Sequence, residues 1–415
     1  METFYALYEK LARAALAGRH EEALHEVEKL DFDPHQLDCL LHPQHHAPVW
    51  RLSPCDCEEG ESACLGVCPF HAIRRNEDGN IEIDQDTCTG CSLCIDACKA
   101  RKLTQSRDTL PVLEAVANTG APVYALIAPA FVSQFSGKVT PGRLRSAFKA
   151  LGFAGMVEVA LFADILTLKE ALDFDELVRS EEDFLLTSCC CPVWIAMIRK
   201  VYRSLTPHIP ASVSPMIACG RAVKRLVPGA VTVFIGPCVA KKAEAREKDI
   251  ADAIDFVLTF QEIQDVFDFA SIDPERMEED LRDHSSRAGR IYAHTGGVSE
   301  AVKTTLERLR PGRHIPLKAL QADGVPACKK MLNELMQGEI HGNFLEGMGC
   351  VGGCVGGPKT LLPREEGALH VAHYGEAAPV RTPVDNPYVM ELLRRLGYET
   401  VESLTQEDTM FRRNF

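Results

Sequence analysis

Three consecutive cysteines followed by proline, in the stretch Thr187-Ser188-Cys189-Cys190-Cys191-Pro192, carry the densest chemistry in this sequence. Neighbouring residues cannot easily supply the geometry of a normal disulfide, so these adjacent thiols are poor partners for one another. The triplet suits a site in which one sulfur binds a metal and another performs acid–base or redox chemistry beside it.

Two later loops add potential ligands in order along the chain. The first contains Cys238 with Lys241 three residues after it, and the second is a glycine-rich loop that contains Cys350 and Cys354. Together with the triplet, they predict a buried metal site assembled from distant parts of the chain.

A second set of cysteines lies near the N-terminus. The spacing Cys88-x2-Cys91-x2-Cys94-x3-Cys98 is that of bacterial 4Fe–4S ferredoxins, in which the fourth cysteine reaches the neighbouring cluster. The preceding group, Cys55-x-Cys57-x6-Cys64-x3-Cys68-Pro69, keeps the crossover ending but has an altered opening. A zinc ribbon also uses Cys-x2-Cys pairs, but eight interlocked cysteines favour iron–sulfur. We predict two 4Fe–4S clusters, one held by Cys68, Cys88, Cys91 and Cys94, the other by Cys55, Cys57, Cys64 and Cys98.

Composition sets the class of protein. The 415 residues predict two or three domains, and the net charge of −14 argues against nucleic acid and anionic membranes as partners. Seventeen cysteines, mostly clustered, indicate metal binding in a reducing compartment rather than disulfides. No run approaches the roughly 18 apolar residues of a membrane span, and the start lacks a secretory pattern. We expect a cytoplasmic protein.

The elements that must position these residues follow from apolar patterning. Residues 3–31 carry a helical pattern, and Asp31 to Pro54, rich in proline and histidine, is predicted to be a connector. His42, His45 and His46 lie there without supporting cysteine or carboxylate spacing, so we interpret them as part of a solvated loop rather than a metal site.

From about residue 105 the pattern predicts an α/β fold with a largely parallel sheet. Short apolar runs suit buried strands at residues 123–128, 184–186, 231–235 and 256–258. Helical stretches are predicted at about 142–151, 164–180, 193–204, 214–226 and 239–249. The cysteine triplet and Cys238 each follow a predicted strand and precede a predicted helix, where sites form in such sheets. The predicted units are residues 1–50, 51–104, 105–395 and 396–415.

The three cysteine loops, in this order over residues 187–358, resemble the three signature motifs of iron–iron hydrogenases. Further matches are Val257-Leu258-Thr259 with Glu262, and the stretch from Thr295 to Ala301. The resemblance covers about residues 105–395 and the ferredoxin-like front end. It implies an H-cluster domain of two lobes with largely parallel sheets, preceded by a small ferredoxin-like α+β domain and an N-terminal helical segment.

The resemblance also implies an H-cluster, in which a 4Fe–4S cubane is joined through one cysteine sulfur to a two-iron centre. That centre carries CO, cyanide and a bridging dithiolate amine. By motif, the cubane ligands are Cys191, Cys238, Cys350 and Cys354, with Cys354 bridging to the two irons. Lys241 would donate to a cyanide ligand, whereas Lys242 better fits a surface lysine. Met348 would pack against the diatomic ligands.

A proton route is implied in the same way. Cys190 takes the position of the family's proton-carrying thiol, and Glu170, 20 positions earlier, takes that of a relay glutamate. Asp173 replaces a second relay glutamate. On the residues alone, both carboxylates could be solvated acids on one helix.

Several positions depart from the family pattern. Cys189 either replaces a serine or is an insertion, in which case the roles of Cys189 and Cys190 could exchange. Gly236 stands where methionine is common. Pro210 occupies the register of a relay serine, for which Ser212, Ser214 or water could substitute.

The leading hypothesis is reversible proton reduction, with ferredoxin or flavodoxin as the electron carrier and maturation proteins as further partners. The alternatives are a low-turnover hydrogen sensor and a non-catalytic iron–sulfur assembly relative that lacks the two-iron unit. A basic fringe near the front cysteines could dock an acidic carrier, although solvated charges would look the same: Arg74, Arg75, Lys99, Arg101 and Lys102. Cys39, Cys219 and Cys328 are predicted to be buried structural residues. The oligomeric state stays open.

Overall fold

The computed structural model describes the whole chain except residues 1, 2, 28, 30, 31, 58–61, 119 and 408. Its strands, in chain order, are β1 (Val49–Arg51), β2 (Ile73–Arg75), β3 (Ile81–Ile83), β4 (Leu103–Gln105), β5 (Val123–Ile127), β6 (Gly155–Glu158), β7 (Leu185–Leu186), β8 (Val231–Gly236), β9 (Phe256–Thr259), β10 (Ala319–Asp323) and β11 (Phe344–Met348).

The helices, in the same order, are α1 (Phe4–Leu16), α2 (His20–Val27), α3 (Pro34–Leu41), α4 (Ala63–Val67), α5 (Leu93–Ala97), α6 (Thr109–Ala117), α7 (Pro141–Ala150), α8 (Ala160–Leu177), α9 (Pro192–Lys200), α10 (Pro215–Leu226), α11 (Ala240–Ala245), α12 (Phe260–Ala270), α13 (Arg287–Arg290), α14 (Gly297–Leu309), α15 (Val325–Met336), α16 (Arg364–Glu376) and α17 (Pro387–Arg395).

A four-stranded parallel sheet forms the larger core, in the order β6-β5-β8-β9. Its central strands are apolar on both faces: in β5, Ala125, Leu126 and Ile127 are at most 1% exposed. Strands of this kind need helices on each side of the sheet, which the alternating strand–helix order supplies. The predicted strands at 123–128, 231–235 and 256–258 are all present.

A second parallel sheet has the order β10-β11-β7. Its strand β7 is only two residues long, and β11 lies between β7 and β10. Because β7 and β11 are parallel neighbours, the loops that follow them meet at one edge of this sheet. The two parallel sheets confirm the α/β fold expected from the strand–helix pattern.

The region of the N-terminal cysteines combines two small antiparallel pairs with two short helices. Strand β1 pairs with β4, and β2 pairs with β3. Helices α4 and α5 carry Cys64 and Cys94, both buried. This α+β arrangement places the two cysteine groups side by side, as their interlocked spacing requires.

The predicted connector between Asp31 and Pro54 contains more regular structure than expected, namely α3 and β1. Helix α3 forms because the Asp33 side chain accepts a hydrogen bond from His35 N and Pro34 occupies the first helical position. Both are favourable helix starts. Proline therefore begins a helix here instead of marking a loop.

The last residues pack against the body of the protein. Phe411 is fully buried, and its carbonyl accepts a hydrogen bond from Val213 N just before α10. Arg413 forms ion pairs with Glu247 and Asp249 beyond α11. In the described residues, none of the helices has both the length and the apolar character needed to cross a bilayer.

Candidate metal-cluster site

Three loops, each following a parallel strand, bring the predicted cubane ligands together. Cys191 follows β7 and caps α9, Cys238 follows β8, and Cys350 follows β11. Ser188 adopts a left-handed backbone conformation with φ of 68°, which turns the triplet away from the strand direction. The amide of Gly349 donates to Cys191 Sγ over 3.2 Å, joining the first and third loops directly.

The four thiols form one electrostatic group. Burial, together with the neighbouring Cys191, raises the pKa of Cys238 to about 11. Burial also raises the pKa of Cys354 to about 12, with contributions from Cys238 and Cys191. The pKa of Cys350 is raised by burial and by the other three thiols. Four converging cysteine sulfurs are the donor set of a 4Fe–4S cubane, so this chain's residues fit that part of an H-cluster.

A cavity of about 50 Å³ lies beside these cysteines. Its wall includes two of the predicted ligands, the predicted proton carrier and the predicted cyanide donor, namely Cys238, Cys354, Cys190 and Lys241. Met348 is 1% exposed and packs in the apolar cluster that contains Cys190 and Cys191, not among the residues that line this cavity.

Lys241 is held in place by Glu244, whose Oε2 accepts a hydrogen bond from Lys241 Nζ over 2.6 Å. Both side chains are less than 10% exposed. Burial opposes the charge of Lys241, but the neighbouring carboxylate outweighs it and raises the pKa of Lys241. The cysteine motifs assign Glu244 no role, although a Lys-x2-Glu pair on one helix face is a usable signal in the sequence.

The expectation that Lys242 is a surface lysine is wrong. Its side chain is fully buried, and Nζ lies 3.2 Å from Asp108 and 3.3 Å from Glu262. It also donates to the carbonyl of Val257 over 2.6 Å. Adjacent residues on a helix point in different directions, so Lys241 faces the cavity while Lys242 ties α11 to α12.

Gly236 has a packing reason to lack a side chain. A Cβ at this position would lie 2.9 Å from the Phe234 ring and 3.1 Å from Ala128. Phe234 lines the cavity, and its ring lies 5.9 Å from Lys241 Nζ. The position where methionine is common in the family therefore adjoins space that is filled here by Phe234.

The structure distinguishes Cys189 from Cys190. Cys189 is 5% exposed, and its thiol donates to Glu170 Oε1 over 3.0 Å. The other oxygen of Glu170 accepts from Thr187 Oγ1. Cys190 lines the cavity instead. Burial raises the pKa of Glu170, which the two hydrogen bonds partly offset.

Glu170 and Asp173 are buried one turn apart on α8, so the view of them as solvated acids is wrong. Asp173 Oδ2 accepts from Lys169 Nζ over 2.7 Å and from Ser212 Oγ over 3.4 Å. Burial raises the pKa of Asp173, against the lowering effect of Lys169. Ser214 instead caps α10, so Ser212 is the serine that contacts the predicted relay.

Two further carboxylates, not identified from the sequence, support the third loop. Glu346 on β11 accepts from Gly296 N, Ser299 N and Ser299 Oγ over 2.6–2.8 Å. Asp323 accepts from Thr295 Oγ1 and from Gly352 N, each over 2.9 Å. These contacts explain why the stretch from Thr295 to Ala301 accompanies the cysteine loops. A lone carboxylate in the apolar strand β11 was the available signal for Glu346.

The N-terminal cysteines fall into two spatial groups. Cys68, Cys88, Cys91 and Cys94 line one small cavity. Cys64 lies within electrostatic reach of Cys55 and Cys98. Cys57 is half-buried beside residues 58–61, which lie outside the described residues, and its carbonyl accepts from Arg75. The fourth cysteine of each motif thus lies with the opposite group.

The first N-terminal group adjoins the C-terminal cysteines. Cys91 contributes to the raised pKa of Cys350, after burial and the other three ligands. One apolar cluster, which includes Trp194 and Phe70, packs against Cys68, Cys91, Cys191 and Cys238. The cavity shared by Cys88, Cys91 and Cys94 is therefore the nearer of the two N-terminal groups to the C-terminal site.

The basic fringe is only partly available to a partner. Arg74 pairs with Glu82 over 2.8 Å, and Arg75 donates to the carbonyl of Gly79 over 2.5 Å. Lys102 lies 3.5 Å from Asp56. Lys99 and Arg101 are exposed next to Cys98.

The three remaining cysteines are buried, with exposed fractions of 2% or less: Cys39, Cys219 and Cys328. The thiol of Cys328 donates to the carbonyl of Met348 over 3.3 Å, and Cys219 lies in the core around α10. Cys39 lies near two histidines of the N-terminal segment.

Comparison with known proteins agrees with this geometry. The family described as "Iron only hydrogenase large subunit, C-terminal domain" matches residues 121–358. The NADP-reducing hydrogenase subunit HndD of Solidesulfovibrio fructosivorans is 26% identical, over 74% of this chain and 63% of that protein. The nuclear prelamin A recognition factor of Homo sapiens is 24% identical, over 74% of this chain and 81% of that protein.

A solved structure of a variant of the FeFe-hydrogenase HydA1 from Chlamydomonas reinhardtii shares the fold, with a TM-score of 0.59 at 23% identity. The match covers 73% of this chain and 98% of that one. The chain spans between half and two thirds of the length of the curated hydrogenases it matches. The family match extends over more than half of the chain and includes all three cysteine loops. The chain therefore belongs to the iron-only hydrogenase family.

Proposed function

We propose that this protein catalyses the reversible reduction of protons, 2H⁺ + 2e⁻ ⇌ H₂. One observation carries the proposal: a single cavity is lined by a free thiol, a buried lysine and two of the converging cysteines, namely Cys190, Lys241, Cys238 and Cys354. Such a cavity offers a proton donor and a hydrogen-bond donor next to a redox-active metal group.

The H-cluster, when bound, supplies the metal centre at which electrons and protons combine. The protein would hold it through Cys191, Cys238, Cys350 and Cys354. Cys238 and Cys354 both line the cavity, and the family resemblance assigns Cys354 the contact with the two-iron part. Lys241 Nζ, oriented by Glu244, is placed to donate a hydrogen bond to a ligand of that part. The two-iron part has to be delivered by maturation proteins, which are therefore proposed partners.

The proton route proceeds through α8. Asp173 is about one-tenth exposed and contacts Lys169 and Ser212, so it is the outer carboxylate. Glu170 lies one turn further inward and bonds to Cys189. Cys190, the residue after Cys189, lines the cavity and lies within electrostatic reach of Glu170, so it would take the proton from Glu170 and pass it on from its Sγ. In this route Ser212 replaces the relay serine that Pro210 displaces.

Electrons enter through the N-terminal cysteines. The group of Cys55, Cys57, Cys64 and Cys98 forms the outer 4Fe–4S cluster, and the group that contains Cys91 forms the inner one, next to Cys350. Ferredoxin or flavodoxin is the proposed carrier, since both are acidic and Lys99 and Arg101 are exposed beside Cys98.

A second candidate function is that of a non-catalytic iron–sulfur protein. The observation that favours it is the similarity to the human nuclear prelamin A recognition factor, of which this chain covers 81%, against 63% of the hydrogenase subunit HndD. A third candidate, a hydrogen sensor with low turnover, uses the same site as the enzyme. The buried Lys241–Glu244 pair at the cavity favours a protein that holds the two-iron part.

One experiment separates the three functions. The protein is produced with hydrogenase maturation proteins, its infrared spectrum is recorded, and H₂ evolution is measured with reduced viologen and with reduced ferredoxin. We expect CO and cyanide bands together with turnover. Bands without detectable turnover indicate the sensor, and the absence of bands from iron-loaded protein indicates the non-catalytic relative.

A further inference from the structure

The N-terminal segment brings together two histidines and a cysteine, none of which belongs to the predicted cluster ligands described above. Ligand atoms of His35, Cys39 and His46 lie within 4.8 Å of one another. His35 and Cys39 are one turn apart on α3, and His35 Nε2 lies 3.6 Å from Cys39 Sγ. His46 reaches them because the short turn Pro43–His45 reverses the chain after α3.

A carboxylate on the same helix supports this cluster. His46 Nε2 lies 2.8 Å from Asp38 Oδ2. A carboxylate that hydrogen-bonds one ring nitrogen leaves the other free to bind a metal and holds the imidazole in place. Cys39 is 2% exposed while His35 is exposed, so the cluster has a buried side and a side open to solvent.

The donor set selects the class of metal. Imidazole and thiolate together suit zinc, whereas magnesium and calcium require oxygen ligands. In a tetrahedral zinc site, bond lengths of about 2.0–2.3 Å place ligand atoms about 3.3–3.8 Å apart. The His35–Cys39 separation already has this value, and His46 needs only a small movement to complete the set.

We propose that His35, Cys39 and His46 bind a single Zn²⁺ ion, with water as the fourth ligand. Binding forms a zinc–sulfur bond at Cys39 and releases the thiol proton to solvent. The ion would lock α3 to the chain that leads into β1. That chain is in turn anchored, because Arg246 Nη1 donates to the carbonyl of His46 over 2.9 Å. The site is structural and does not depend on the proposed hydrogenase activity.

The test uses the iron-loaded full-length protein and measures its zinc content by elemental analysis. We expect about one zinc per chain, surrounded in zinc K-edge X-ray absorption by one sulfur and nitrogen or oxygen ligands. Cys39→Ser and His35→Gln should each lose most of the zinc and leave the iron content unchanged. His45→Gln is the matched control, because His45 is an exposed neighbour outside the cluster, and it should retain the zinc.

His35→Gln keeps the test decisive if Cys39→Ser fails to fold, because His35 is exposed. A chelator should lower the melting temperature of the native protein and leave that of His35→Gln unchanged. Zinc retained by both variants would overturn the proposal. So would a zinc ion surrounded by three or four sulfurs, which would mean that zinc had entered an iron–sulfur site.

Discussion

The different contacts of Cys189 and Cys190 give the prediction that one assay can test most directly. Cys190 lines the cavity, whereas Cys189 bonds to Glu170 behind it. Replacing Cys190 with alanine removes the thiol that we propose transfers the proton. A positioned acid–base group contributes roughly 10²- to 10⁴-fold to rate, so we expect a loss of that size in H₂ evolution.

Cys189→Ala should lower the rate of H₂ evolution less than Cys190→Ala does. It removes one hydrogen bond to a buried carboxylate, and such a bond to a charged group is worth about 1.5–3 kcal/mol. If the whole of this loss enters the barrier, turnover falls roughly 10- to 150-fold. Cys189→Ser, which keeps a donor toward Glu170, should recover most of the activity.

The assay compares matured variants by H₂ evolution from reduced viologen, with the CO and cyanide infrared bands as the check that the cofactor is present. Cys219→Ala is the matched control, since it deletes the same atoms from a buried cysteine outside the site. A larger loss in Cys189→Ala than in Cys190→Ala would refute the reasoning. It would mean that the roles of the two thiols are exchanged.

Three other outcomes follow from particular contacts. Lys242→Met should lower the free energy of unfolding by about 3–5 kcal/mol in chemical denaturation, because it leaves two buried carboxylates without their partner. The same change at the exposed Lys330 should have little effect, and equal losses would contradict this. Replacing Lys99 and Arg101 together with glutamate should lower the ferredoxin-driven rate and leave the viologen-driven rate unchanged; an equal fall in both rates would argue against docking there. Burial raises the pKa of Asp164 from 3.8 to about 6, so the native state holds more protons between these values. The contribution of Asp164 to the free energy of unfolding should therefore fall as pH rises from about 4 to 6, so Asp164→Asn should make the measured slope of that free energy against pH more positive over this range; an unchanged slope would count against it.

Much of the site was predictable because the spacing of cysteines along the chain determines which sulfurs can bind one cluster. The Cys-x2-Cys-x2-Cys repeat predicts cluster ligands whatever the surrounding fold. The order of the three C-terminal loops predicts a shared site because each loop follows a strand, and parallel strands end at a common edge. The apolar runs at β5, β8 and β9 predict those strands because a parallel strand that is covered on both faces needs apolar side chains on both of them.

Other features depend on contacts between residues far apart in the chain. Motif position alone distinguishes Lys241 from Lys242 in the sequence, and only the packing of α11 against β9 buries Lys242 beside Asp108 and Glu262. Ser212 and Ser214 were equal candidates until the start of α10 made Ser214 a helix cap. In the N-terminal segment, proline and histidine predicted a loop, whereas the capped helix α3 brings His35 and Cys39 to His46.

The sequence by itself determined which residues could bind metal, because ligand chemistry belongs to the side chain and local spacing determines which sulfurs can share a cluster. It also identified the cysteine triplet as the centre of the site. Only the tertiary structure decided what each sulfur of that triplet contacts. Adjacent side chains on a turn diverge, and it is α8, packed behind the loop, that places Glu170 against Cys189 and leaves Cys190 facing the cavity.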